Sequence, residues 1–106
     1  MVGANATPRY AWERALRDEP LDKTTKLVGL VLATYSNKDG SRAHPGTKRL
    51  ARDCHVSTRT VMRHLEVLRE AGFLERYFEG SSAGRQGLAD EYQLTVPVAG
   101  RSALNT

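Results

Sequence analysis

The chain has a single cysteine, Cys54, so it can close no internal disulfide and cannot build a zinc site on paired cysteines. It has no run of about 18 apolar residues, which excludes a membrane-spanning helix. Met1 to Thr7 carry neither the basic nor the apolar stretch of a secretory signal. There are no internal repeats, and no shift in composition divides the 106 residues into two domains. Enzyme signatures are missing as well: there is no glycine-rich phosphate loop, no nucleophile elbow and no recognisable pair of carboxylates. These absences point to a soluble, non-enzymatic protein of a reducing cytoplasm, with no membrane partner, no cofactor and no small-molecule ligand evident. A hydrophobic fraction of 40% suffices for one modest core.

The net charge of +4 says little by itself, but its distribution says more. Between Ser41 and His64 stand Arg42, Lys48, Arg49, Arg52, Arg59 and Arg63 against one acid, Asp53, so this window carries +5 and the rest of the chain −1. Positive charge gathered in one segment of a nearly neutral chain is the footprint of a polyanion-binding surface. Charge alone fits a solvated helical face equally well.

Local signals divide the chain into six elements. Thr7-Pro8 reads as a cap followed by proline at the first helical position, opening a helix from about Pro8 to Asp18 with Ala11, Trp12, Ala15 and Leu16 as its apolar stripe. Pro20 ends it. A second helix starts near Asp22. Its Leu27, Val28, Leu30, Val31, Leu32 and Tyr35 cover most of the circumference, which predicts a central, fully surrounded helix. Asn37 to Gly40 is a turn signal, and His44-Pro45-Gly46 forces extended backbone. Thr47 can cap a short third helix from Lys48 to about Cys54, with Leu50, Ala51 and Cys54 inward. Ser57 caps a fourth helix running to Ala71, and Gly72 sits where a left-handed C-terminal residue belongs. Beyond it the period changes to two. Phe73 to Glu79 and Glu91 to Val96 read as strands, the latter with Tyr92, Leu94 and Val96 on one face, joined by a glycine-rich loop from Gly80 to Gly87. Residues 1–96 form the expected domain, and 97–106 a small, polar, flexible tail.

The most informative segment is Leu50-Ala-Arg-Asp-Cys-His-Val-Ser-Thr-Arg-Thr-Val-Met-Arg-His-Leu65. Two short helices joined by a tight turn, the second capped by serine, have the geometry that inserts a helix into the DNA major groove. With Val61 pointing inward, Leu65 and Leu68 fall within about 40° of it at 100° per residue, and Arg59 and Arg63 fall on the opposite face. Like charges one turn apart cost a helix a few tenths of a kcal/mol, so the stacked arginines serve no local structural end. Their guanidinium groups suit bidentate contact with guanine.

This segment, with the following Leu65-Glu-Val-Leu-Arg-Glu-Ala-Gly-Phe-Leu74, resembles the winged helix-turn-helix superfamily of DNA-binding domains. From about Tyr10 to Val96 the chain is similar to small helix-turn-helix proteins of phage, plasmid and chromosomal regulatory or replication loci. The resemblance implies a mainly α (α+β) fold of four helices with a small antiparallel β-hairpin wing, a recognition helix at Ser57–Ala71 and a wing at Gly80–Ala89. It also implies a short extra strand near Ala43-His44. His55 departs from the pattern by standing where many members have glycine, although histidine is among the residues that tolerate positive φ.

On this reading the partner is double-stranded DNA, bound sequence-specifically by a transcriptional regulator associated with the nucleoid. Origin recognition, an excision or replication accessory role, and a winged helix used for protein contacts are the alternatives. Thr58, Arg59, Met62 and Arg63 would read bases, while Lys48, Arg49, Arg52 and Ser57 would hold phosphates. Arg85, in the glycine-rich loop, suits a minor groove, a path along the DNA backbone, or no contact at all. His44, His55 and His64 with Cys54 make a poor metal set, because adjacent Cys54 and His55 cannot easily ligate one ion. Trp12 and Leu16 suit either the core or the contact of a homodimer.

Overall fold

The computed structural model describes residues 6–78 and 91–97, without the side chains of Tyr77 and Phe78. Six elements follow in order: α1 (Arg9–Asp18), α2 (Lys23–Ala33), α3 (Thr47–Cys54), α4 (Thr58–Glu70), β1 (Leu74–Phe78) and β2 (Glu91–Leu94). Four helices followed by an antiparallel hairpin make a mainly helical winged-helix arrangement. The loop Gly80–Ala89, with Arg85, and the tail from residue 98 onward lie outside the described residues.

Helix ends follow local chemistry, with two corrections. The Asp22 carboxylate accepts from the Thr24 N–H at 3.0 Å to start α2, and Ser57 Oγ accepts from the Thr60 N–H at 3.1 Å to start α4. Thr7 is not the cap of α1, and Thr47 is not the cap of α3. Pro8 and Gly46 hold those positions, and neither helix has a side-chain cap. Thr7 stands one residue too early, because the first helical bond runs from the Trp12 N–H to Pro8 O at 2.9 Å, while its own N–H bonds the Leu94 carbonyl at 2.6 Å. Gly46 serves through its φ of 84°, which puts Thr47 inside the helix.

Helices α3 and α4 end alike. After α3, the Val56 N–H reaches Ala51 O and the His55 N–H reaches Arg52 O, with His55 left-handed at φ 59°. After α4, Phe73 N–H reaches Leu68 O and Gly72 N–H reaches Arg69 O, with Gly72 at φ 87°. Both are Schellman endings that satisfy otherwise orphaned carbonyls. Histidine therefore makes after α3 the turn that glycine makes after α4.

The core is one cluster. Trp12 and Leu16 of α1, Val28, Leu32 and Ala33 of α2, Leu50, Ala51 and Cys54 of α3, and Val61, Leu65 and Leu68 of α4 meet Phe73, Leu74, Tyr92 and Leu94. Trp12 is fully buried. Its indole N–H donates to the Phe73 carbonyl at 2.8 Å, and its ring meets Phe73 edge-on with centroids 6.3 Å apart. The stripe of Trp12 and Leu16 is thus core and offers no dimer contact. Ala11, expected in that stripe, is exposed.

The second helix is not surrounded. It buries Thr25, Val28, Gly29, Leu32 and Ala33, a single stripe at helical spacing, and leaves Leu27 at 43% and Leu30 at 41% exposure. Its neighbours α1, α3 and α4 all use that one stripe. Gly29 sets the approach, because a Cβ there would lie 3.0 Å from Leu16, 3.2 Å from Trp12 and 3.3 Å from Leu68. Thr25, buried on the same stripe, pairs with His64 Nδ1 of α4 at 2.7 Å.

In the hairpin Leu74 faces Leu94, Glu75 faces Gln93 and Arg76 faces Tyr92, before an irregularity shifts the register to Phe78 opposite Glu91. On the far edge of β2, Ala43 exchanges two backbone bonds with Tyr92, at 2.9 and 2.8 Å. The extra strand implied near Ala43 is therefore present as a single bridge. β2 ends at Leu94, and Val96, expected inward, is 40% exposed. Its neighbour Thr95 turns the chain back onto the end of α4, donating its hydroxyl to Gly72 O at 2.8 Å and its N–H to Phe73 O at 3.0 Å.

Candidate nucleic-acid interface

The interface is assembled from two helices whose inner faces are locked. Leu50, Ala51 and Cys54 anchor α3, and Val61, Leu65 and Leu68 anchor α4. Only His55, Val56 and Ser57 separate the helices, so their orientations are coupled through a turn held by two backbone bonds. With the apolar stripes turned inward, Lys48, Arg49 and Arg52 are exposed on α3, and Thr58, Arg59, Met62 and Arg63 are exposed on α4. The residues expected to read bases thus share the outer face of α4, and the three basic residues expected to hold phosphates lie on the helix before it.

Neither Arg59 nor Arg63 enters an ion pair among the described residues. The pairs found there join Arg9 to Glu13, Arg17 to Asp18 and Arg69 to Glu66. Met62, between the arginines, is 60% exposed, a large apolar side chain facing water. Ser57 is exposed, but its hydroxyl is already engaged. It accepts from the Thr60 N–H and donates to Thr60 Oγ1 at 3.0 Å. Its first role is the cap.

The outer face of α4 is not basic throughout. Continuing the helical stripe of Arg59, Met62 and Arg63 leads to Glu66 and Glu70, both exposed. The positive charge is therefore gathered over the first two turns, while the last holds Glu70 and the ion pair of Glu66 with Arg69. The capped N-terminal end also carries the positive end of the helix dipole. A polyanion is favoured at the first turns over the last.

Helix-turn-helix, inward anchors, serine cap and outward arginines are together what a DNA-reading motif requires. The profile of the helix-turn-helix domain family matches residues 19–74, more than half of the 106-residue chain. The chain belongs to the helix-turn-helix domain family. The matched span runs from the end of α1 to the start of β1, and so contains the whole of α2, α3 and α4. Searches of curated proteins and of solved structures return no significant match. Membership of a helix-turn-helix family points to DNA binding. No helix among the described residues is long and apolar enough to cross a membrane.

The cysteine and the histidines add little chemistry. Cys54 is buried at 5% exposure, and its thiol pKa is raised, first by burial and then by the neighbouring Asp53. It packs as a small hydrophobe. His44 and His55 are exposed and His64 is turned to Thr25; no metal-holding group of histidine, cysteine, aspartate and glutamate forms among the described residues.

Sequence reasoning missed the contact between Tyr35 and Asp53, in which the phenol O–H donates to Asp53 Oδ2. These residues are 18 positions apart, and nothing in their local spacing signals the pairing. It also missed the Thr25–His64 bond that joins α2 to α4.

Proposed function

We propose that this helix-turn-helix domain is a non-enzymatic transcriptional regulator that recognises duplex DNA sequence-specifically. The observation that carries this reading is the outer face of α4. Arg59 and Arg63 project from its first turns, exposed, one turn apart and without a carboxylate partner among the described residues. A winged helix used for protein contacts has no need to maintain two mutually repelling cations there.

In the mechanism that follows, the N-terminal half of α4 enters the major groove. Arg59 and Arg63 donate to guanine O6 and N7, Thr58 supplies a short hydroxyl, and Met62 lies against a thymine methyl group. Lys48, Arg49 and Arg52 meet phosphates and set the register. Ser57 reaches a phosphate only by exchanging its hydroxyl bond to Thr60. Glu70, with Glu66 already paired to Arg69, keeps the second half of the helix off the backbone, which tilts the N-terminal end into the groove.

Selection of bound duplexes from a random pool, followed by competition against scrambled duplex, tests the reading. A defined motif is expected. Arg59→Ala and Arg63→Ala should each lower affinity for that motif by about 1–3 kcal/mol while barely changing affinity for scrambled DNA. Lys48→Ala should weaken both duplexes alike. No enriched motif, or no duplex binding at low salt, would refute the proposal.

A further inference from the structure

Asp53 is the sole acid between Ser41 and His64. It lies four residues after Arg49 on the exposed side of α3, where partners at this spacing are neighbours. Yet no ion pair among the described residues joins them. A group from outside the motif engages the Asp53 carboxylate instead. Tyr35 follows α2 in a turn closed by its own N–H to Leu32 O at 2.9 Å, and it is partly buried. Its phenol donates to Asp53 Oδ2, one helical turn after Arg49. The Tyr35 pKa is raised, first by the bond to Asp53, while Arg49 pulls it the other way.

We propose that Tyr35 is a positioning residue of the DNA interface: by holding the Asp53 carboxylate it keeps Arg49 unshared and presents it to a phosphate. The proposal rests on the DNA-binding reading above. Without the phenol oxygen, the carboxylate loses its donor, and the cation one helical turn before it is Arg49. Pairing of the two would withdraw one phosphate contact. On counterion release, one contact accounts for a salt slope of about 0.9, which is about five- to tenfold in affinity near 0.1 M salt. If the phenol were only a strut between α2 and α3, its removal would lower stability and leave the salt slope alone.

Tyr35→Phe, Asp53→Asn and the double variant should be compared by anisotropy on a labelled duplex carrying the selected site, from about 0.05 to about 0.3 M salt. Urea unfolding of each variant should run alongside. Tyr35→Phe is expected to weaken binding about five- to tenfold near 0.1 M and to flatten the slope by about one unit. In the Asp53→Asn background the same change should shift affinity by less than about twofold and leave the slope unchanged. Equal slopes for parent and Tyr35→Phe would overturn the proposal, as would a Tyr35→Phe effect that persists without the carboxylate. A parent that binds no duplex removes the DNA reading and this proposal with it. A parent that binds steeply while Tyr35→Phe is silent removes this proposal alone.

Discussion

Replacing Trp12 distinguishes a core residue from an interface residue in one experiment. The side chain is fully buried against Phe73, and Gly29 of α2 sits close to the rim of its ring. Truncating such a tryptophan to alanine costs about 3–5 kcal/mol in lost burial and residual cavity. The indole bond to Phe73 O accounts for about 1 kcal/mol of this. No more is added by an orphaned carbonyl, because Phe73 O also accepts the Thr95 N–H at 3.0 Å. Trp12→Phe keeps most of the ring and loses the bond, so it should cost about 1–3 kcal/mol. Domains of this size have about 5–15 kcal/mol in total, so Trp12→Ala should be severely destabilised at room temperature. Trp12 is the sole tryptophan, so unfolding in urea is best followed by far-ultraviolet circular dichroism, with sedimentation velocity on the same samples. In the parent, its fluorescence should resist quenching by iodide until the chain unfolds. A Trp12→Ala variant within about 1 kcal/mol of the parent, with a changed sedimentation coefficient, would refute the core assignment and restore a dimer contact.

Gly40→Ala should destabilise by about 2–5 kcal/mol, since φ is +88° and a Cβ would overlap the Thr7 carbonyl oxygen; thermal unfolding reads it, and a neutral result would mean that the N-terminal arm does not pack there. His55→Gly should stabilise by about 0.5–1 kcal/mol by relieving the left-handed backbone, with duplex affinity unchanged. Cys54→Ala should cost about 0.5–1.5 kcal/mol, and the native thiol, buried and with a raised pKa, should react with a thiol reagent only on unfolding. The Asp39 carboxyl is held below its ordinary 3.8, first by the Ser41 hydroxyl and then by the Ser41 N–H. Its contribution to stability is therefore present above that value and lost as pH falls through the folded pKa, and Asp39→Asn should flatten this acid limb. The Tyr35 phenol behaves oppositely. Raised above 10.0, it contributes below about that pH and loses the contribution as pH climbs through the folded value, an alkaline limb absent from Tyr35→Phe.

The sequence by itself determined what short-range rules govern. Ser57 and Asp22 cap helices because a side-chain oxygen meets an N–H two or three residues on. Gly72 ends α4, and the 3.6-residue period turned Val61, Leu65 and Leu68 inward and so Arg59 and Arg63 outward. The tertiary structure decided whatever depends on which segment arrives from far along the chain. Thr7 looked like a cap, but the first helical bond accepts at Pro8, and β2 holds the Thr7 N–H from 87 positions away. Leu27 and Leu30 looked buried because composition shows how apolar a helix is but not how many neighbours it acquires, and all of its neighbours came to one stripe. Trp12 was open between core and interface until Phe73 closed over it from 61 positions away. Tyr35 and Asp53 carry no mutual signal at all, because a phenol and a carboxylate meet here only through the packing of α2 on α3. Capping and periodicity act over one or two turns and can be read locally. Burial and side-chain partnership are properties of pairs, and the chain specifies them only once it is folded.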